Sequence, residues 1–201
     1  MTTVQAATKA KDLIRRICEQ MILKPDRLNL DVMPMTNSFV VYVVAGYSDA
    51  KRIVGSKGVH FEALKILTGL LGKKHGFSGK LDSIQDDGNP QEDRYSDFVP
   101  ATDWPKAKVQ KLVEDICEAC LSEPARVTIQ DGQNGMSVIE IFTAEDEAKE
   151  TVESLSLALI YLVKPIGKGN QRRLMVNVIA ETSGEKQPAS ADGRFAKAIS
   201  R

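Results

Sequence analysis

The feature that most constrains this chain is that its sequence is written twice. Leu13-Ile14-Arg15-Arg16-Ile17-Cys18-Glu19 reads like Leu112-Val113-Glu114-Asp115-Ile116-Cys117-Glu118. Pro25-Asp26-Arg27-Leu28-Asn29-Leu30 reads like Pro124-Ala125-Arg126-Val127-Thr128-Ile129, again 99 positions on, and Ala45 with Ala144 keeps that separation. Such self-similarity calls for two related units. Further along the separation falls to 95: Ala63-Leu64-Lys65-Ile66-Leu67 matches Ala158-Leu159-Ile160-Tyr161-Leu162, and Gly72-Lys73 matches Gly167-Lys168. The second copy is thus four residues shorter between these anchors, the length of the segment Gly55-Ser56-Lys57-Gly58. Only the first unit is expected to keep that loop.

Periodicity fills in the units. Apolar residues at helical spacing (Leu13, Ile14, Ile17, Met21) predict a helix from about Val4 to Leu23, with Pro25 as its stop. Arg27–Val32 alternates as a strand, and the β-branched and aromatic run Phe39–Val44 should pair with it through the Pro34–Ser38 turn. Ser48 or Asp49 can cap a short helix to Val54. Gly55 and Gly58 interrupt it, a longer helix resumes at Val59, and a strand around Lys80–Gln85 closes the unit. The second unit reads as helix Pro105–Leu121 with Asp103 as its cap, strands Arg126–Gln130 and Ser137–Phe142, helix Glu145–Val163 and strand Arg172–Ala180. The fold class is α+β, αββααβ followed by αββαβ, each a three-stranded sheet with helices on one face. Domain bounds follow at 1–85 and 104–181, with an acidic linker at 86–103 and a flexible tail at 182–201.

Charge is neutral overall but uneven. Lys51, Arg52, Lys57, Lys65, Lys73, Lys74 and Lys80 face a single acid, Glu62, whereas the stretch from Asp82 to Asp103 is acidic with Arg94 alone against it. A general hold on polyanions is excluded, so any nucleic-acid contact must be local. Three cysteines make no disulfide framework, and the C-x-x-C of Cys117 and Cys120 lies inside a helix with no second ligand pair. These thiols read as core residues in a reduced, cytoplasmic protein without signal segment or membrane span.

The chemistry concentrates at Ile53-Val54-Gly55-Ser56-Lys57-Gly58-Val59-His60-Phe61. Two glycines allow a tight turn with no Cβ to keep a ligand away. The turn feeds a helix N-terminus, whose free N–H groups favour an anion. Lys57 places an ammonium at the tip, with Lys51 and Arg52 one turn back and His60 and Lys65 beyond. A nucleic-acid backbone suits that arrangement. Val54 and Phe61 with Leu28, Val41 and Val43 are candidates to wall an apolar groove for bases. His60 follows the loop closely enough to contact RNA, with a solvent-facing place on the helix as its plainer role. The plain structural reading of the loop is a helix–turn–helix joint with a glycine cap.

This pattern resembles the K-homology (KH) family, whose apolar-apolar-G-x-x-G-x-x-apolar signature is met by Ile53, Val54, Gly55, Ser56, Lys57, Gly58 and Phe61. The order αββααβ is similar to the prokaryotic type II form, and the likeness covers about residues 8–86. It implies a loop that clamps about four nucleotides of single-stranded RNA or DNA beside a groove that takes the bases. Phe61 stands where the family has an aliphatic residue. The second unit resembles a degenerate copy without the loop: Glu150, Glu153 and Ser154 run on as one helix. Its cations Lys164, Lys168, Arg172 and Arg173 offer a secondary RNA contact or a soluble turn.

No paired carboxylates, nucleophile–base pair, metal ligand set or P-loop is present, so no catalytic role, metal or cofactor is expected. Two functions remain open. One is binding of single-stranded or loop RNA, including structured ribosomal RNA, with the ribosome or a protein engaged through the second unit. The other is a protein-interaction adaptor or dimer scaffold that hardly touches RNA.

Overall fold

The structure, a computed structural model, describes residues 1–86, 105–169 and 172–181, with side chains left aside at 168 and 169. The first half runs α1 (Thr3–Glu19), β1 (Asn29–Pro34), β2 (Ser38–Ala45), α2 (Tyr47–Val54), α3 (Val59–Lys74) and β3 (Ser78–Asp86). The second runs α4 (Lys106–Cys120), β4 (Arg126–Asp131), β5 (Met136–Ala144), α5 (Lys149–Gly169) and β6 (Arg173–Glu181). Each half carries one mixed three-stranded sheet. The centre is β2 or β5, antiparallel to the strand before it and parallel to the strand after it. The class is α+β, as the periodicities required. The predicted linker beyond Asp86, the cap Asp103 and the tail after Glu181 lie outside the described residues.

α1 begins on a reciprocal cap: Thr2 Oγ1 accepts from Gln5 N at 3.3 Å while Gln5 Oε1 accepts from Thr2 N at 2.9 Å. Its buried stripe is Ala6, Ala7, Ala10, Leu13, Ile14, Ile17 and Cys18. The helix stops at Glu19, not Leu23. The reason is a competitor for the backbone: the buried carboxylate of Asp49 accepts from Leu23 N (3.0 Å) and Lys24 N (2.9 Å). Asp49 therefore does not cap α2, whose N-cap is Gly46 with no side-chain bond. The same device recurs in the second half, where the Glu147 carboxylate accepts from Ser122 N at 2.8 Å and Glu123 N at 3.5 Å. Holding that segment as a turn delays α5 to Lys149 instead of Glu145. At its far end α5 runs on through Pro165 to Gly169, beyond the expected stop at Val163. Proline forfeits one backbone bond there without ending the helix.

Strand alternation buries one sheet face. Phe39, Val41, Val43 and Ala45 point into the core from β2, and Ser137, Ile139, Ile141 and Thr143 from β5. α3 crosses its sheet at backbone contact. A Cβ on Gly72 would lie 2.4 Å from Gly79 N, and one on Gly79 would lie 2.2 Å from Thr68 O. Packing that close fixes the helix over β3 and with it the loop at the helix N-terminus.

The two halves share one apolar core. α1 and α3 cover the first sheet, α4 and α5 the second, and α3 packs on both α4 and α5 between them. This explains why α3 has a broad apolar face, with Ala63, Leu64, Leu67, Leu70 and Leu71 buried and Glu62, Lys65 and Lys73 left exposed. Each such leucine contributes about 2 kcal/mol on burial. Polar contacts stitch the same seam: Arg16 with Asp115, Lys74 Nζ donating to Glu118 O, and Lys73 with Glu150 at 3.5 Å.

Hydrogen-bond equivalences correct the sequence repeat in detail. Ser78 N donates to Asn37 O and Arg173 N to Gly135 O, so β2 and β5 correspond at a separation of 98. Val43 pairs with Leu30 and Ile141 with Val127, so Leu30 corresponds to Val127, 97 apart, and not to Ile129. Likewise Thr143, not Ala144, takes the buried place of Ala45. The helices before them keep 99, because Leu23 and Lys24 match Ser122 and Glu123 in their carboxylate grip. The first half thus spends two extra residues before its first strand, where the 3₁₀ turn Pro25–Arg27 lies.

Candidate functional site

The loop joining α2 to α3 has an unusual backbone. Gly55 sits at φ 75°, ψ 170°, a region open essentially to glycine alone. Lys57 (φ 56°, ψ 21°) and Gly58 (φ 77°, ψ 12°) are both left-handed. Gly58 N donates to Gly55 O at 3.1 Å, closing the turn. A helix ended by a single left-handed glycine would need none of the last two conformations. The chain instead uses positive φ at Gly55, Lys57 and Gly58 to swing directly into α3, with strain at Lys57 alone, leaving Ser56 and Lys57 exposed at the tip.

His60 lies beneath this turn. Its Nδ1 is 2.9 Å from Arg52 O, in the last turn of α2. A Cβ at Gly55 would fall 2.5 Å from His60 Cγ and Nδ1. Glycine is needed at 55 twice over, by its torsion angles and by the imidazole. His60 was expected to face solvent; its half-buried ring instead spans the loop. No spacing rule connects residue 60 to the carbonyl of residue 52, so periodicity could not reveal this.

The cations around the loop differ in freedom. Lys51 is exposed and sits 3.8 Å from the Tyr47 ring centroid. Arg52 lies 3.8 Å from Asp49. Lys65 pairs with Glu62 at 3.0 Å and reaches over Phe61 at 5.4 Å. Lys57 is exposed on the loop itself. Val54 and Phe61 are half-buried beside the loop. Leu28, Val41 and Val43 are at most 5% exposed and belong to the core, so they wall no groove. Alternation alone assigned them to a face without saying which face was covered. The apolar surface next to α2 comes from β3, the sheet-edge strand that α2 packs against, where Ile84 is half-buried.

The chain was compared with family models, curated proteins and solved structures. Nothing matched.

The secondary cations do not join the loop. Lys164 is exposed near the Tyr161 ring (5.9 Å), Arg173 opens β6, and Arg172 lies just before it, its N–H donating to Gly167 O at 2.8 Å. That bond is the counterpart of the one from Phe77 N to Gly72 O, 2.8 Å, at the far end of α3. The side chain of Lys168 is not described. Concave surface lies elsewhere again. A cleft of about 260 Å³ between α1, α3 and α4 places Lys9, Arg16 and Lys74 against Asp12, Asp115 and Glu118, with balanced charge. His75 at its edge is pulled below its ordinary value, by desolvation first and then by Lys9 and Lys74.

The thiols are core. Burial pushes Cys18, Cys117 and Cys120 up to about 12, so none is a ready nucleophile or ligand. Among the described residues no cluster of His, Cys, Asp and Glu could hold a metal, and no helix is long and apolar enough to cross a membrane.

Proposed function

We propose that the protein binds single-stranded or loop RNA through Gly55-Ser56-Lys57-Gly58, that its first half is a type II KH-like unit, and that its second half is a degenerate copy without the loop. The observation that carries this reading is the loop's backbone. Two glycines with positive φ, one of them in glycine-only torsion space, turn the chain into the N-terminus of a sixteen-residue helix and leave only Ser56 and Lys57 at the tip. Such a turn exposes N–H groups and one ammonium to an anion with no side-chain bulk in the way. Half-buried Val54 and Phe61 beside it suit base faces. The element order and the parallel pairing of the last strand with the central one support the same reading.

The decisive experiment replaces Ser56 and Lys57 by Asp together. Both glycines stay, and negative charge replaces the cation at the tip. Affinity for a labelled single-stranded RNA pool should fall about 30-fold in fluorescence anisotropy, and binding by the unaltered protein should weaken as salt rises. Unchanged RNA crosslinking by the double variant would reject the loop as the contact, and a protein-interaction role would then take precedence.

A further inference from the structure

The RNA-binding reading makes the loop's shape the active ingredient, and the inference here rests on that reading: what holds the shape. The turn holds Lys57 in the left-handed region and needs glycine torsions at Gly55 and Gly58, and strained backbone persists only where its surroundings over-determine it. Two restraints inside the loop are local, Gly55 N donating to Lys51 O at 2.9 Å and Gly58 N donating to Gly55 O at 3.1 Å. Neither connects the helix before the loop to the helix after it.

One side chain does. From the first turn of α3, His60 reaches back across the loop to Arg52 O at the end of α2, eight residues earlier. A carbonyl oxygen only accepts, so Nδ1 carries the proton. The same ring lies against the Gly55 backbone at the distance where any Cβ would collide. We infer that His60 is a positioning residue that braces the loop: its Nδ1–H ties α3 to α2 and its ring supports Gly55 in the binding conformation, without itself contacting RNA. The second half supports the logic by contrast, for the corresponding segment is continuous helix and has no crossing to brace.

The test separates ring, bond and fold. Asparagine places an amide N–H where the imidazole has Nδ1–H, whereas leucine fills similar space with no donor. In the full chain, His60→Leu should lose up to about tenfold in affinity for a labelled random single-stranded RNA pool, the scale of one hydrogen bond to a backbone carbonyl, and His60→Asn should recover most of it. In parallel, the strong HN–Hα cross-peak that a positive φ gives Lys57 in NMR should fade in His60→Leu and persist in His60→Asn. Equal affinities for all three proteins overturn the brace. Equal losses in both variants overturn it too, assigning the imidazole to RNA contact. If the unaltered protein ignores the pool, the RNA reading fails, and the brace stands or falls on the Lys57 cross-peak alone.

Discussion

The segments that follow the two central strands start alike and end differently. After β2 comes Asp49, after β5 comes Glu147, and each carboxylate grips two backbone N–H groups just beyond the preceding helix. From there the first half builds α2, breaks it at Gly55 and restarts as α3. The second goes straight into α5. Asp49 and Glu147 correspond at a separation of 98, Gly72 and Gly167 at 95, so three residues are missing in between. Counting back along the helices puts Gly55–Gly58 against residues 150–153, which are helical. The missing residues come out of α2. The loop was therefore not excised from the second half; its place was straightened. One architecture accepts either a strained, exposed turn or a relaxed helix at the same point, and the shared grip shows that the scaffold does not require the strain.

The largest effect that would break this parallel concerns the grip. Asp49 is 3% exposed, and Asp49→Ala would remove the acceptor of two part-buried N–H groups. A loss of about 3 kcal/mol is expected in urea unfolding. The half-exposed Glu147 should cost only about 1 kcal/mol as Glu147→Ala, because water can replace it. Equal losses would show that the two carboxylates are not graded by burial. The next contrast sits inside the loop. Gly55→Ala meets both forbidden torsions and the imidazole and should cost about 2 kcal/mol. Gly58, with nothing within 4 Å of a Cβ, should cost about 1 kcal/mol as Gly58→Ala. Thermal unfolding of the pair reads the difference directly. The smallest effect has the opposite sign. Thr143 occupies the buried place of Ala45, and its hydroxyl has no hydrogen-bond partner. Thr143→Val keeps the shape, removes the orphan and should stabilise by up to about 1 kcal/mol in the same urea assay.

Much of this was legible beforehand. The order of elements followed from periods of 3.6 and 2, and the loop from two glycines at a helix boundary. The errors have specific physical origins. Matching Leu30 to Ile129 is wrong by two residues, and a slip of two leaves strand alternation unchanged, so hydrophobic pattern could not detect it. Asp49 looked like a cap because caps are local in sequence, yet its partners lie twenty-five and twenty-six residues away. Leu28, Val41 and Val43 were offered to a groove because alternation defines two faces and names neither. His60 was missed because its partner is a backbone atom, which carries no sequence signature. The contact between the halves was not read from the sequence, although the breadth of the apolar face of α3, in Leu64, Leu67, Leu70 and Leu71, is what it required.

That helix has a consequence for inheritance. Because α3 packs on its own sheet and on α4 and α5 together, every substitution along it is judged by both halves at once. The side chains that set the α2–α3 loop at one end are thus tethered to a scaffold that has no loop. Such a molecule can vary the exposed Ser56 and Lys57 freely, while its two halves are bound to evolve as one.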